Sequence, residues 1–361
     1  MAQPLARTAC RLWSRSRGTP AAPSLAGRRW QSSWSHLEPE MTARKIRPIF
    51  DDMTPQYSFR LDTALADFLP DTRPPRILPA ATANLPLPIP HHLLYFEPTK
   101  APSELLPDGT NPDQSPGDPF VRRMWAGGTV LYNNSNPMHM DNSRAVCVEG
   151  IRDVAVKGKP GDEKVFVGIE RRIAGLSMDE HAELRTVGTD TSRIDALEEK
   201  IRSRLWQGKD TDFGPCSIIE RRNIPEEIQA ATAASRKPGK MLRPQHAPDY
   251  THTLVPNAQL LFRFSALTFN AHAIHLDPHY CRTVEGHRDL LFHGPLSFTM
   301  LVTLLQQRLE GTGERIGFVE YRNLAPLYAN EPLKLCGRKE AERKYEIWAE
   351  TPEGAWLSRA R

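Results

Sequence analysis

The stretch that most limits the fold runs from Leu296 to Leu309, inside HGPLSFTMLVTLLQQRLEG. Its helical pattern is apolar on nearly every side. A helix without a polar stripe has to be enclosed by other elements rather than laid on a surface. The segments around it suit that task. CSIIERRNI and AQLLFRFSALTF are strand-like before it, and RIGFVEYRNL, EPLKLCGRKE and KYEIWAET follow it with strand composition. Strands on both sides of one enclosed helix predict an antiparallel sheet curled around that helix.

The first half repeats this plan more coarsely. TPQYSFRLDTALADFL at 54–69 predicts a helix, with Thr54 as cap, Pro55 at the first position, and Leu61, Ala64, Leu65 and Phe68 on one face. Residues 70–119 are too proline-dense for regular structure, apart from the apolar island HLLYF at 92–96, which is expected to pack on a domain. WAGGTVLYN, AVCVEGIRDVAVKG and KVFVGIERRIA read as strands, with turns at Gly127-Gly128 and at Lys159-Pro160-Gly161-Asp162. TSRIDALEEKIRSRLW at 191–206 carries Ile194, Leu197, Ile201 and Leu205 on one helical face and reads as a connector. Residues 232–249 read as a loop.

A sheet wrapped around a central helix is the hot-dog arrangement. The expectation is an α+β chain with a double hot-dog architecture, each half an antiparallel sheet around a central helix. The halves are placed at 45–185 and 212–361, with a connector at 186–211. The repeat is not visible as residue identity.

The first 37 residues stand apart. They hold six arginines, no lysine and no acid, and are rich in Ser and Ala. That is the composition of a mitochondrial transit peptide, and Arg28-Arg29-Trp30-Gln31-Ser32-Ser33 resembles a processing site. The +4 net charge depends on those arginines: without them 41 basic residues face 43 acidic ones. A nucleic-acid footprint needs basic clusters on the folded part. Glu220-Arg221-Arg222 and Arg236-Lys237 are short, and they read as solvated surface. No apolar run approaches the roughly 20 residues needed to cross a bilayer. Cys10, Cys147, Cys216, Cys281 and Cys336 are scattered without CxxC spacing, which fits a reducing compartment and excludes a disulfide framework.

Chemistry concentrates in LTFNAHAIHLDPHYC, residues 267–281. Five of the twelve histidines lie between His272 and His293. On one helix, His272, His275 and His279 would share a face, as a metal requires. Yet Ala273 stands where a zinc helix of the HExxH type carries its glutamate, and Pro278 interrupts the run. No metal is therefore expected. An acid/base site needs less: one histidine that titrates near neutrality can take and return a proton. Asn270 can hold a water, and Asp277 can orient a ring or face solvent. His293-Gly294-Pro295 adds a helix start, where free N–H groups suit a developing oxyanion. His279 and His287 are expected at the surface. Each sign has a bland counterpart, since histidines pack in cores and Gly-Pro pairs start many helices.

FRFSALTFNAHAIHLD followed by EGHRDLLFHGPLSFTMLVTLL closely resembles the mitochondrial 3-hydroxyacyl-thioester dehydratase type 2 and mesaconyl-C4-CoA hydratase family, double hot-dog relatives of the MaoC-like (R)-specific enoyl-CoA hydratases. LPIPHHLLYFEP, SELLPDGT, RRMWAGGTVLY, VFVGIERRI, IIERRNI and GFVEYRNLAPLYANEPLKLCGR resemble it in the same order, so the likeness runs from about residue 45 to about residue 350. It implies a hydro-lyase that dehydrates (R)-3-hydroxyacyl thioesters in mitochondrial fatty-acid synthesis, with the acyl group on acyl carrier protein or CoA. No cofactor is implied. In the wider family an aspartate stands five residues before the motif histidine. Here that position is Asn270, as in the dehydratase branch, and His272 stands at the motif's asparagine. The branch has arginine at Ala273 and tyrosine at Leu276.

On this likeness His275 is expected as general acid/base, Asn270 as the group placing the water or hydroxyl, Gly294 as oxyanion donor and His272 as a second proton carrier. The first half is expected to shape the acyl tunnel. Hot-dog halves pair with each other, so a homodimer or a pseudo-dimeric monomer is expected in the matrix. A hydratase for a small dicarboxylyl-CoA and a non-catalytic thioester-binding protein are the alternatives.

Overall fold

The structure is a computed structural model. It describes residues 34–159, 163–206, 212–228, 243–352, 354 and 356–361. The processing segment at 28–33, the turn at 160–162, the Arg236-Lys237 pair and most of the loop at 232–249 lie outside the described residues. His36–Arg361 form one compact unit.

The chain opens with α1 (Leu37–Thr42), β1 (Ile49–Asp52) and α2 (Pro55–Leu65). The proline-rich stretch carries only 3-10 turns, one of them His91–Leu94, and the two-residue strand β2 (Leu85–Pro86). Next come β3 (Phe120–Arg123), β4 (Gly127–Tyr132), β5 (His139–Met140), β6 (Arg144–Lys157) and β7 (Lys164–Gly175). The helices α3 (Met178–Val187) and α4 (Thr191–Leu205) lead to β8 (Ile218–Ile228). The second half holds β9 (Tyr250–Leu254), α5 (Ala258–Leu267), the three-residue α6 (Pro278–Tyr280) and α7 (Gly294–Leu309). It closes with β10 (Phe318–Asn323), β11 (Leu333–Ala341), β12 (Lys344–Glu350) and β13 (Trp356–Ala360).

The main sheet has the order β1-β6-β7-β8-β4-β10-β13-β12-β11-β9, with β3 alongside β8, and its pairs are antiparallel. Inward from one edge it reads β1, β6, β7, β8, β4. From the other it reads β9, β11, β12, β13, β10. These are the same walk, so the repeat that residue identity conceals is visible in strand order. The walk also places β8 in the first sheet half, although it lies beyond residue 212, where the sequence reading put the domain boundary.

The helices repeat as well: each half has a short helix directly after its edge strand. Asp62 is the eighth residue of α2, and Ser265 is the eighth of α5. Each faces a histidine: His91 Nε2 lies 3.8 Å from Asp62 Oδ1, and His293 Nε2 lies 2.8 Å from Ser265 Oγ. The enclosed helix belongs to the second half. α7 buries ten of its residues and packs on β11, β12 and β13. One apolar core runs through both halves, from Leu61 and Tyr95 to Phe264, Leu301 and Leu335. On the other face of the sheet, α4 lays Leu197, Ile201 and Leu205 on Val146 and Val148.

Four local expectations are corrected. AQLLFRFSALTF is largely helix α5, not a strand. The Asn257 side chain accepts the Leu260 N–H at 2.9 Å, and Leu260, Leu261 and Phe264 pack inward at helical spacing. Gly127-Gly128 are inside β4, not in a turn. A Cβ there would come 2.4 Å from the Tyr321 carbonyl oxygen and 1.9 Å from that of Arg221, so glycines let three strands meet where the halves join. Glu220 and Arg222 do not form solvated surface. Strand alternation turns both inward on a central strand, where they pair at 2.9 and 3.0 Å. His287 is buried, because Gly286, at φ 71°, folds it back to within 3.1 Å of the Tyr328 hydroxyl.

Candidate active site

His272 and His275 stand at the start and end of a tight loop. α5 ends at Leu267, and Phe269, at φ 47°, reverses the chain. Asn270 then locks a local turn, its Oδ1 accepting the His272 N–H at 3.0 Å. A 3-10 turn spans Ala273–His275. Asp277 caps α6 instead of orienting a ring: its Oδ1 accepts N–H groups of His279 and Tyr280 at 2.7 and 3.0 Å. His279 is exposed. The single helical face that metal ligation would use is thus never formed.

The loop is pinned to the segment that leads into α7. Ile274 O accepts the Leu291 N–H at 2.9 Å, and Leu291 O lies 2.8 Å from His275 Nδ1. A carbonyl oxygen only accepts, so Nδ1 carries the ring hydrogen and Nε2 keeps a lone pair. Among the described residues Nε2 meets no hydrogen-bond partner, and it is not one of the unpartnered nitrogens sealed from solvent.

Two residues beyond Leu291, the cap position of α7 brings in a histidine the sequence reading used only as part of a helix start. His293 is fully buried, and its ring stacks on His275 with centroids 3.6 Å apart. His272 meets His275 edge-on at 5.6 Å. Burial lowers His272 to about 3, helped by the charge of Arg123. It lowers His275 to about 3 as well, reinforced by His272 and opposed by the Leu291 carbonyl. His293 lies well below its ordinary value, through burial and then its two neighbours. The three imidazoles are therefore neutral at neutral pH instead of titrating near it as the sequence suggested, so His275 Nε2 keeps its lone pair but is a weaker base than a free imidazole.

Gly294 is the first residue of α7, where N–H groups lack partners inside the helix. A Cβ there would lie 2.6 Å from Asn323 Nδ2, which donates to Trp125 O at 2.7 Å. A methyl there would therefore push the Asn323 amide aside. Trp125 is itself surrounded by polar groups. Trp125 Nε1 donates to the Tyr321 hydroxyl at 2.7 Å, and the Arg222 guanidinium lies 4.8 Å from the Trp125 ring. A neutral imidazole beside such a helix start can take a proton from a carbon next to a carbonyl while the N–H groups stabilise the oxyanion.

One residue of the site comes from the first half. Asp108 O accepts the Ala273 N–H at 2.8 Å, and Asp108 Oδ2 lies 3.5 Å from His272 Nε2. The sequence reading gave Asp108 no role, although it lies in SELLPDGT. The Pro-Asp-Gly-Thr turn was the available signal. Nearby, a surface cleft of about 950 Å³ is lined by Arg44, Lys45, Arg47, Lys100 and Leu106. Its cations are paired with Glu40, Glu199, Glu198 and Asp113 at 3.3, 3.6, 2.8 and 3.1 Å.

Comparison with known proteins agrees with this architecture. A MaoC-like dehydratase from Phytophthora capsici superposes with a TM-score of 0.51 at 12% identity, over 89% of this chain and 97% of that one, which establishes the fold. Mesaconyl-C4-CoA hydratase of Chloroflexus aurantiacus is 31% identical over 76% of this chain and 83% of its own length. The mitochondrial hydroxyacyl-thioester dehydratase type 2 of Schizosaccharomyces pombe is 26% identical over 68% of this chain and 76% of its own. The family model for hydroxyacyl-thioester dehydratase type 2 matches residues 90–204 and 186–329. The chain is a hydro-lyase and belongs to the hydroxyacyl-thioester dehydratase type 2 family.

Proposed function

We propose that the protein reversibly dehydrates (R)-3-hydroxyacyl thioesters to trans-2-enoyl thioesters, with His275 as general acid/base. One observation carries this reading: the Leu291 carbonyl fixes the His275 hydrogen on Nδ1, and so leaves Nε2 as a base beside the start of α7. In dehydration, Nε2 takes the proton from the α-carbon. The electron pair moves onto the thioester oxygen, held by the N–H of Gly294. As the double bond forms, the β-hydroxyl leaves, and His275 returns the proton to it, so that water departs. Hydration is the reverse. One imidazole serves both steps when the groups leave from the same face.

The acid-free, arginine-rich leader and the mitochondrial dehydratases among the relatives support a place in the mitochondrial matrix, in fatty-acid synthesis. The carrier is acyl carrier protein or CoA. The first half, with Trp125, would line the acyl side of the site, and the second would do the chemistry. A second reading, hydration of a small dicarboxylyl-CoA, is favoured by the 31% identity to the Chloroflexus hydratase and by the internal cation Arg222 near Trp125. Against it, Arg222 is already held by Glu220 through two bonds. The test is loss of enoyl absorbance with crotonyl-CoA, longer enoyl-CoAs and mesaconyl-C4-CoA. Turnover of plain enoyl thioesters supports the first reading. Turnover of mesaconyl-C4-CoA alone supports the second, and no turnover of any thioester supports a binding protein.

A further inference from the structure

The wider hydratase motif has a carboxylate where this chain has Asn270. Here one lone pair of the Asn270 Oδ1 accepts the His272 N–H and holds the loop, and an amide, unlike a carboxylate, cannot take up a proton at neutral pH. A carboxylate does reach the loop, but from the other half of the chain. Asp108 sits in a tight turn closed by Gly109 N–H on Leu106 O at 2.8 Å and Leu106 N–H on Thr110 O at 2.9 Å. Its Oδ1 accepts from Thr110 N and Oγ1 at 2.9 and 2.7 Å, and its Oδ2 lies 3.5 Å from His272 Nε2, a gap that closes by a few tenths of an ångström for a hydrogen bond to form. The turn is docked directly on the histidine loop. Ala273 donates to Asp108 O at 2.8 Å, and a Cβ on Gly109, at φ 83°, would fall 2.2 Å from Ala271 O. Both Asp108 and the His272 side chain are largely enclosed, each about 10% exposed.

We infer that Asp108 is a positioning residue that holds the His272 hydrogen on Nε2, so that Nδ1 accepts a hydrogen bond from the water or β-hydroxyl of the reaction. The pair stands in for the carboxylate absent at position 270. His272 performs no net proton transfer in this scheme: it orients the oxygen, and His275 still gives and takes the proton. A carboxylate that fixes the tautomer of a working imidazole is a general device, and removing one from a metal-bound or nucleophile-activating histidine costs ten-fold or much more.

The inference rests on the proposed dehydratase reading, and its test has a readout independent of activity. The full-length protein is labelled in its histidine nitrogens, and the ring tautomers are read by NMR, with His272→Gln used for assignment. The expected result is hydrogen on Nε2 of His272 in the wild type, lost or mixed in Asp108→Asn. Kinetics give the second readout. Asp108→Asn should lower kcat about 10- to 100-fold with KM within about twofold, and it should have little further effect in a His272→Gln background. Hydrogen on Nδ1 in the wild type overturns the inference even if the substituted chain fails to fold. So does an unchanged kcat in Asp108→Asn, or full multiplication of the two effects. A wild type with the expected tautomer that turns over no thioester would instead sink the dehydratase reading and leave the Asp108–His272 geometry standing.

Discussion

At the scale of the residue, the proposed role of His275 turns on which atoms are already engaged. His275 is one of five clustered histidines. It is distinguished by a carbonyl that claims Nδ1 and a loop that leaves Nε2 open. Both His275 and Gly294 were singled out in the sequence, and the structure brings the loop of one against the segment that leads into the helix begun by the other. The sequence carried nothing that joined Asp108 to His272, since that contact depends on how the two halves dock. Stacking of His293 on His275 was hidden for the same reason: ring geometry follows from the loop, not from spacing. Gly294 offers a test at this scale. In Gly294→Ala the new methyl displaces the Asn323 amide from Trp125 O. The expected cost is about 1 kcal/mol of stability, with a fall in kcat as the helix start shifts. Denaturant midpoints and steady-state rates read both, and no change in either would mean that the close approach does not matter.

At the scale of the element, α7 is the piece on which the fold depends. Its nearly unbroken apolar surface was the clearest statement in the sequence, and it is enclosed as expected. α5 was less legible. Phe262-Arg263-Phe264-Ser265 alternates like a strand, and only the Asn257 cap and the inward spacing of Leu260, Leu261 and Phe264 reveal the helix. Gly127-Gly128 misled in the opposite sense, because glycines that relieve a strand seam look like glycines in a turn. Leu301 is 1% exposed at the middle of α7. Leu301→Ala should cost about 2–5 kcal/mol, the range for buried leucines that leave a cavity. A loss under about 1 kcal/mol by chemical denaturation would show that the helix is less tightly enclosed than described.

At the scale of the whole molecule, two similar half-sheets meet along β4 and β10, from Gly127 opposite Arg322 to Leu131 opposite Phe318. The order of strands repeats although the residues do not, because topology survives substitutions that erase identity. Among the described residues, the enclosed apolar helix and the stacked imidazoles lie in the second half. The first half buries an ion pair beside its share of the apolar core, with Arg171 and Glu220 3.3 Å apart. Burial of histidines in both halves predicts an acid-labile protein. His91, His272 and His275 are held near 3, His92 near 4, and His293 well below its ordinary value, each through burial first. Below pH 6.5 the unfolded chain takes up protons that these histidines refuse in the fold, so stability falls as pH falls from about 6.5 toward 4. Each contributes up to about 1.4 kcal/mol per pH unit in that window. Asp62 and Glu97, raised to about 6, and Glu226, raised to about 7, work the other way as they protonate in the fold. Burial raises Asp51 in the same sense, and five histidines still outweigh four carboxyls, so unfolding midpoints should drop between pH 6.5 and 5. A flat or rising profile there would contradict the burial of the imidazoles.

The most direct test of the central claim is the hydration rate of crotonyl-CoA by wild type and by His275→Ala. The two proteins are first matched for fold by circular dichroism and denaturant midpoint. Loss of a positioned general acid/base should lower kcat about 10²–10⁴-fold. Equal rates in the two proteins would contradict the account, and would place the chemistry on a group other than His275.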